Sequence, residues 1–385
     1  MELKLFNEQG SRLLSTLTTK SDLLTIRSVA LHHVSVPLLE PFRISNGEVT
    51  AKEAILVEVT TTDGVTGWGE ASPMSGSFYS SDTPESSYSA LSETLVPLVL
   101  SSEIDVPTFY ETLRRQPVDA FAKAGIEGAL WDAYAKRLKK PLFEVLGSDQ
   151  RPIPSGVAIG IYDKISELIE RVKRYLSEGY QRVKIKIQPG WDVEPVTAIR
   201  SELPDLALMV DANAAYSLDD ISVFRELDKH DLMMIEQPLA RDAIAEAGEL
   251  QKQLRTPLCA DESAESMPSL ELLVQHQAAR IINIKVQRVG GLSEARLMLE
   301  RARAARLECW VGTMPELGIA SAQGLALACS DAFSYPTDIE ASTRWYVDDV
   351  IEPQIDVDSS GFIHLPATPG SGYDTSREKI NKYVL

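Results

Sequence analysis

Two patterns of hydrophobic and polar positions divide the chain. Residues 25–70 contain runs rich in β-branched residues, such as AILVEVTTT, and the turn signal Thr62-Asp63-Gly64 predicts an antiparallel hairpin. The stretches PESSYSALSETLVPLVL and PVDAFAKAGIEGALWDAYAKRL that follow read as helices, because apolar residues recur in them at helical spacing. Strands followed by helices predict a separate α+β domain over residues 25–150.

After Pro152 the pattern becomes an alternation of strands and helices. Short apolar strands, among them VAIGIY, RVKIKI, LALMV, PLCA and IINI, are separated by amphipathic segments such as DKISELIERVKRYLSEG. Strands that are apolar on both faces and alternate with helices are typical of a parallel sheet covered on both sides. An open, doubly wound sheet is the alternative, but the sequence lacks a glycine-rich phosphate-binding turn after an early strand.

Polar residues end five of these strands at a nearly constant interval. In chain order they are Lys186, Asp211, Glu236, Asp261 and Lys285. Subtraction gives steps of 25, 25, 25 and 24 residues. A βα unit that repeats without drift predicts a (β/α) barrel of the TIM type, here over residues 151–345.

Two lysines alternate with apolar residues in RVKIKI. Because strand side chains alternate between faces, Lys184 and Lys186 point the same way, opposite to Val183 and Ile185. In a closed parallel barrel that direction is the interior, and the C-terminal rim is where barrel active sites lie. We therefore expect both amines at the barrel mouth.

Three carboxylates end three successive strands between the lysines. Asp211 is followed by Ala-Asn, Glu236 by Gln-Pro and Asp261 by Glu-Ser. Carboxylates brought together repel one another, so their convergence requires a cation. All-oxygen ligands favour Mg²⁺, or Mn²⁺, over zinc, which prefers His and Cys. Helix caps and loop acids would explain any one of these residues more easily than all three in register.

Lys186 and Lys285 belong to the second and sixth strands of the predicted barrel, which face each other across the mouth. A substrate carboxylate held by the metal would have a lysine on each side of its α-carbon, which suits α-proton abstraction. A useful base has a pKa nearer 7 to 8 than the ~10.4 of free lysine, and neighbouring cations favour that change. Lys184 and Arg288 are candidates for those cations, with ordinary structural or surface roles as the alternative.

Composition limits the class of function. A net charge of −18, from 56 acidic and 38 basic residues, argues against general nucleic-acid or anionic-membrane binding, because the field repels phosphates. The three cysteines lack metal-type spacing, and no apolar run approaches the ~20 residues of a membrane span, so we expect a cytoplasmic protein. Residues 1–24 lack a signal-peptide pattern and are interpreted as a terminal extension. An assembly of identical chains is the default expectation.

The strand-end motifs resemble those of the enolase superfamily, in its muconate-lactonising-enzyme subgroup. The matching elements are Lys184-Ile185-Lys186, Asp211-Ala212-Asn213, Glu236-Gln237-Pro238, Asp261-Glu262 and Lys285 in the barrel, with GWGE and ALWDAYAKRLKKPLFEVLG before it. The resemblance covers about residues 25–380. It implies that Lys186 and Lys285 are the acid/base pair and that the three carboxylates bind Mg²⁺. It also implies that residues 25–150 cap the barrel mouth and that residues 346–385 return to complete the cap.

A narrower similarity is to the o-succinylbenzoate synthases and the N-succinylamino acid (N-acylamino acid) racemases, carried by MVDANAAYSL, LRTPLCADES and DIEASTRWYVDDVIEP. It implies that the segments EPFRISNG, SGSFYSSDTPES and GTMPELG face the substrate. The residues expected to contact the substrate or support the site are Lys184, Asn213, Glu262, Arg288, Glu316, Phe42, Phe78, Tyr79 and Met314. Lys285 is followed by Val-Gln-Arg where this family often has Pro-Gly-Arg, and Thr313 and Pro315 also depart from its pattern, so the substrate stays open.

The resemblance implies an enzyme that removes the α-proton of a small carboxylate substrate through an enediolate. In a synthase, Lys186 would take the proton and a β-hydroxyl would leave as water, giving o-succinylbenzoate for menaquinone synthesis. In a racemase, Lys186 and Lys285 would exchange roles.

Other members of the superfamily remain alternatives. A muconate cycloisomerase shares the lysine pair, and dipeptide epimerases commonly carry Asp-x-Asp where this chain reads Asp338-Ile339-Glu340. Mandelate-racemase-like chemistry would need a histidine at the seventh strand end, and the five histidines lie elsewhere in the sequence. A non-catalytic Mg²⁺-binding barrel is a remote alternative, because both lysines and all three carboxylates are present.

Overall fold

A computed structural model of the chain describes residues 23–44, 47–75 and 81–385. Its strands are β1 Leu24–Ile44, β2 Gly47–Thr61, β3 Thr66–Ala71, β4 Glu103–Ile104, β5 Ile153–Pro154, β6 Gly156–Ile159, β7 Arg182–Lys186, β8 Leu208–Asp211, β9 Ile235–Glu236, β10 Leu258–Ala260, β11 Ile281–Ile284, β12 Glu308–Val311, β13 Ile351–Glu352, β14 Phe362–Ile363 and β15 Asp374–Thr375. The sequence-based expectation for residues 1–24 falls almost wholly outside the described part of the chain.

The helices follow the long strands of the cap and then alternate with the strands of the barrel. They are α1 Pro84–Ala90, α2 Val96–Leu100, α3 Val106–Arg114, α4 Ala120–Arg137, α5 Leu142–Val145, α6 Ile165–Ser177, α7 Val193–Glu202, α8 Ile221–Leu227, α9 Ile244–Gln251, α10 Met267–His276, α11 Val286–Val289, α12 Leu292–Ala304, α13 Gly318–Ala328, α14 Ser342–Trp345 and α15 Arg377–Tyr383. A π-helical turn, Leu91–Leu95, joins α1 to α2, and a 3₁₀ turn, Leu218–Asp220, precedes α8.

The capping region is an antiparallel sheet packed against helices. Its strand order is β3-β2-β1-β4, and the predicted hairpin turn is closed by a hydrogen bond from the Gly64 amide to the Thr61 carbonyl, at 3.0 Å. Helix α4 lies directly on β3, because glycines remove the side chains that would separate them. A Cβ atom at Gly69 would lie 2.0 Å from the carbonyl oxygen of Gly125. This contact fixes the end of β3 against the helix layer.

The barrel sheet has seven parallel strands in the order β12-β11-β10-β9-β8-β7-β6. Lys186 pairs with Asp211, and Asp211 pairs with Glu236, so the regular spacing in the sequence becomes direct adjacency along the rim. The segment at residues 337–339 takes the eighth place. The Gly156 amide donates to the Thr337 carbonyl at 2.8 Å, and the Asp338 amide donates to the Val311 carbonyl at 3.1 Å. These bonds join the two edge strands and confirm the barrel prediction.

Helix α6 shows why this sequence alternates between strand and helix. Its buried residues, Leu168, Ile169, Val172 and Tyr175, recur at helical spacing and face the barrel strands. Asp192 precedes α7 and caps it, accepting a hydrogen bond from the Val193 amide at 2.6 Å. The hydrophobic core is divided, with β6 to β9 and their helices packed in one cluster.

The last part of the chain returns to the cap. Arg377, the first residue of α15, forms an ion pair with Glu58 on β2, and Val384 makes a β-bridge to Val34 on β1. The exact domain boundaries stay predictions. Among the described residues, no helix combines the length and apolar character needed to cross a lipid bilayer.

Candidate active site

The site lies at the C-terminal rim of the barrel, where β7 places two lysines inside. Lys184 is 3% exposed and Lys186 is 8% exposed, and both line the pocket at the mouth. Val183 and Ile185 point the other way, into the core between the sheet and its helices. Alternation along one strand therefore separates the packing side chains from the two amines.

Lys184 is held by carboxylates and by an aromatic ring. Its Nζ donates to Glu236 Oε2 at 3.0 Å and to Asp338, and it lies 4.9 Å from the centre of the Trp310 ring. Burial acts to lower the pKa of Lys184, but the negative charges of Asp338, Glu236 and Asp211 outweigh burial and raise that pKa above its ordinary value. Lys184 therefore acts as a fixed positive charge beneath the rim.

The other two lysines each contact one of the three strand-end aspartates or glutamates. Lys186 Nζ donates to Asp211 Oδ2 at 2.5 Å, and Lys285 Nζ donates to Asp261 Oδ2 at 2.9 Å. Arg288 also donates to Asp261. Burial acts to raise the pKa of Asp261, but the positive charges of Arg288 and Lys285 outweigh it and hold that pKa well below the ordinary value.

Glu236 is fully buried between its two neighbours on the rim. Asn283 Nδ2 donates to Glu236 Oε1 at 2.6 Å. Burial, followed by the negative charge of Asp211, raises the pKa of Glu236 to about 8. Burial and the neighbouring carboxylates therefore disfavour the ionised form of Glu236, and a cation bound beside it would favour that form.

The donor atoms fit a hard divalent metal ion. Asp211, Glu236 and Asp261 offer only oxygen ligands and are at most 1% exposed. Close to them, Asn213 Oδ1 and Glu262 Oε2 are buried without a hydrogen-bond partner among the described residues. In the same described ranges, no three His, Cys, Asp or Glu side chains already form a metal cage, because each rim carboxylate is turned toward a lysine.

A pocket opens above these groups, with about 510 Å³ of empty space that is partly open to solvent. Its floor carries Lys184, Lys186 and Lys285. Its remaining wall is formed by Met74, Ala158, Asn213, Thr313, Met314, Pro315, Asp338, Glu340 and Trp345. The lining of the pocket therefore combines three lysines and two carboxylates with apolar side chains such as Met74, Met314 and Trp345.

Comparison with known families agrees with this architecture. Residues 167–379 match a model of the enolase C-terminal domain-like family, and residues 26–147 match a model of the mandelate racemase/muconate lactonizing enzyme N-terminal domain. The chain belongs to the enolase superfamily. The two matches confirm the resemblance seen in the strand-end motifs and cover both the cap and the barrel.

The relatives of this chain within the superfamily include synthases and racemases. An o-succinylbenzoate synthase from Geobacillus kaustophilus is 40% identical over 365 residues, covering 94% of this chain and 96% of the relative. An N-succinylamino acid racemase from Amycolatopsis is 38% identical, covering 90% and 94%. A crystal structure of an enolase-superfamily member from Listeria innocua superimposes with a TM-score of 0.90 at 34% identity, covering 94% of this chain and 98% of that chain.

Several of the substrate-side residues predicted from the sequence lie at this superfamily site. Met314 lines the pocket, and its Sδ accepts a hydrogen bond from Arg288 Nη2 at 3.6 Å. Asn213 lines the pocket and donates to Glu262 Oε1 at 3.2 Å. Glu316 lies behind the pocket wall, where it accepts from the Met314 amide at 3.0 Å. Burial, followed by the negative charge of Glu70, raises the pKa of Glu316 to about 7.

The predicted contacts on the cap loops lie at the edge of the described structure. Phe42 belongs to β1, opposite Val49, but its side chain is outside the description. Phe78 and Tyr79 also lie outside the described residues. Their contact with the substrate stays a prediction.

Three residues were given no supporting role from the sequence, namely Arg182, Asn283 and Asp338. Arg182 and Lys184 both pair with Asp338, the Arg182 Nη1 to Asp338 Oδ1 distance being 2.7 Å. Asn283 holds Glu236 from β11. The signal for two of them is period-two spacing, since Arg182 precedes Lys184 by two positions and Asn283 precedes Lys285 by two.

Proposed function

We propose that this enzyme removes the α-proton of a small carboxylate substrate, as an o-succinylbenzoate synthase, an N-succinylamino acid racemase, or both. The main support is the position of Lys186 and Lys285, which come from β7 and from the end of β11 and line one pocket. The three rim carboxylates lie on the strands between them. Relatives with both names cover most of the chain, which agrees with this assignment.

Asp211, Glu236 and Asp261 are the proposed ligands of Mg²⁺, with Mn²⁺ as a substitute. When bound, the metal ion supplies positive charge that stabilises the substrate carboxylate as the α-proton leaves. Lys184 stays positively charged below the rim and keeps Glu236 in place through their 3.0 Å contact. Asn283 fixes the other oxygen of Glu236, so the orientation of this carboxylate is set before a substrate enters.

Lys186 and Lys285 are the proposed proton carriers. In the racemase reaction one amine takes the α-proton and the other returns a proton to the opposite face. In the synthase reaction Lys186 takes the α-proton and then gives a proton to the β-hydroxyl, which leaves as water. Lys285 stays protonated on the other face, and the product is o-succinylbenzoate for menaquinone synthesis. One site serves both reactions, because they share the same first step and differ in the fate of the intermediate.

The contacts of Asp338 and Glu340 disfavour a dipeptide epimerase. An amino group of a substrate would need a free carboxylate in this segment, yet Asp338 is already paired with Arg182 and Lys184. Glu340 accepts from the Ala158 amide at 2.8 Å and lies 3.4 Å from Arg344.

A muconate lactonizing enzyme from Pseudomonas fluorescens shares the fold, with a TM-score of 0.88, but at 24% identity it supports the fold alone. Cytoplasmic location and assembly of identical chains stay predictions.

The direct test is proton NMR in D₂O with Mg²⁺ and N-succinyl-L-phenylalanine. We expect the α-proton signal to decay, and we expect Lys186→Ala and Lys285→Ala each to change that decay. Dehydration of the o-succinylbenzoate synthase substrate, followed by ultraviolet absorbance, is the parallel assay for the synthase. Persistence of the α-proton in the wild-type protein would refute the acylamino acid assignment, and absence of both activities would refute the proposed function.

A further inference from the structure

Gln287 connects the catalytic end of β11 to the cap through both ends of its carboxamide. It is 1% exposed and lies in α11, two residues after Lys285. Its Nε2 donates to the Glu70 carbonyl at 2.8 Å, and its Oε1 accepts from the Ser72 amide at 3.0 Å. The side chain therefore pairs with the backbone of one cap segment, residues 70–74, as a neighbouring strand would.

The same cap segment is held at further points and ends in the pocket wall. Lys52 Nζ donates to the Ser72 and Pro73 carbonyls, each at 2.9 Å. The Glu70 carboxylate accepts from the backbone amide of Leu317 at 2.8 Å. Met74, the next residue after Pro73, lines the pocket together with Lys285. A shift of this segment would therefore move the wall that confines the substrate beside Lys285.

The contacts of Gln287 connect it more directly to Lys285 than to Lys186. The short helix that carries Gln287 begins directly after Lys285 and also carries Arg288, which contacts Asp261 and Met314. Lys186, in contrast, lies on β7 and contacts Asp211 on the neighbouring strand. Loosening the link between α11 and the cap should therefore disturb the Lys285 side of the site more than the Lys186 side.

We propose that Gln287 is a positioning residue that aligns the cap segment at residues 70–74 with Lys285, so that it selectively supports proton transfer on the face of the substrate that Lys285 serves. This inference rests on the proposed function, because it requires the two lysines to work on opposite faces. A buried amide outside the pocket would then affect the half-reaction of Lys285 more than that of Lys186.

Exchange of the α-proton with solvent deuterium separates the two faces. Racemisation of the two enantiomers has an equilibrium constant of one. Any substitution must therefore lower kcat/KM by the same factor for the L-to-D and the D-to-L direction. The rate at which the α-proton of each enantiomer exchanges before inversion is not bound by this equality. N-succinyl-L-phenylalanine and its D-enantiomer are therefore followed separately by NMR in D₂O, and Lys285→Ala and Lys186→Ala first assign each enantiomer to its lysine.

The decisive variant is Gln287→Met, which keeps the length of the side chain and removes both hydrogen bonds. Gln323→Met is the matched control, because Gln323 is also 1% exposed and donates across the same interface, to the Trp68 carbonyl at 2.9 Å. We expect Gln287→Met to slow exchange on the Lys285 face about tenfold more than on the Lys186 face, as expected from displacement of a reacting group by a fraction of an ångström. Gln323→Met should leave the ratio of the two rates unchanged.

Equal slowing on both faces by Gln287→Met would overturn the inference, and so would a ratio that changes equally in Gln323→Met. Hydrogen–deuterium exchange measured by mass spectrometry gives a second readout that needs no substrate. We expect faster amide exchange at residues 70–74 in Gln287→Met and unchanged exchange in β7 to β9. Unchanged exchange at residues 70–74 would also overturn it. A wild-type protein that exchanges neither enantiomer would refute the racemase assignment instead, and the amide exchange would still decide whether Gln287 holds the cap.

Discussion

Glu127 is expected to make the stability of the cap–barrel interface depend on pH. It lies on α4, is 1% exposed, and accepts hydrogen bonds at the start of α12, among them one of 3.4 Å from the Ser293 amide. A Cβ atom at Gly291 would lie 2.0 Å from Glu127 Oε2, which shows how closely the backbone encloses the carboxylate. Burial raises the pKa of Glu127 from 4.5 to about 7. That difference of roughly 2.5 pK units corresponds to about 3 kcal/mol.

The direction in which stability changes with pH depends on whether the folded or the unfolded state binds the proton more tightly. Below the unfolded pKa of 4.5 the carboxyl is protonated in both states, and its contribution to stability is fully present. Between pH 4.5 and about 7 only the unfolded state ionises, so the free energy of unfolding falls as the pH rises. Glu127→Gln removes the ionisation and keeps the shape. Relative to the wild-type protein, the variant should therefore gain stability from pH 5 to pH 8.

The size of the expected change can be measured as a melting temperature. For 385 residues the entropy of unfolding is about 0.8 kcal/mol/K, from ~2.1 cal/mol/K per residue. A gain of about 3 kcal/mol then raises Tm by ~4 °C at pH 8 relative to the difference at pH 5. Differential scanning calorimetry of the wild-type protein and Glu127→Gln from pH 5 to pH 8 measures this difference in Tm. The other titrating groups are the same in both proteins, so their effects cancel in the comparison. Parallel Tm curves, or a Tm difference that shrinks toward pH 8, would refute the reasoning.

Three further predictions concern the metal site and the cap. Asp211→Asn and Glu236→Gln should each weaken Mg²⁺ binding and abolish turnover while circular dichroism stays unchanged, and full activity in either variant would contradict the ligand assignment. Removal of divalent ions with EDTA should stop α-proton exchange, and Mg²⁺ or Mn²⁺ should restore it; exchange that survives chelation would argue against a metal. Gly69→Ala should destabilise by ~1–3 kcal/mol or more, because its Cβ atom would lie 2.0 Å from the Gly125 carbonyl oxygen, and an unchanged Tm would contradict this.

The sequence predicted the rim of the barrel well because strand register follows from a regular repeat. Residues that end successive βα units of equal length must lie side by side, and Lys186, Asp211 and Glu236 are paired in this way. Strand alternation likewise predicted the inward direction of Lys184. Both inferences use local geometry, in which the backbone alone determines where a side chain points.

Partners from distant parts of the chain could not be predicted in the same way. Lys184 pairs with Asp338, which is 154 positions away, and Gln287 pairs with Glu70, which is 217 positions away. No periodic pattern links such residues, because their contact depends on how the cap and the last barrel segment pack. The sequence placed GWGE in the cap, but it did not indicate that the Glu70 carboxylate accepts hydrogen bonds from two backbone amides at the start of α13, those of Leu317 and Ala320.

The residues proposed to carry out the chemistry lie at positions set by local strand geometry, whereas many of the residues that contact the substrate side of the pocket are positioned by long-range packing. Lys186 and Lys285, the proposed proton carriers, lie at the ends of strands whose register is fixed by the barrel. Much of the pocket wall comes instead from connecting segments, including Met74 from the cap, Met314 after β12 and Trp345 in α14. Substitutions in these segments reshape the pocket without moving the proton carriers. We therefore expect the pocket wall, together with its anchor at Gln287, to determine whether this chain prefers a synthase or a racemase substrate.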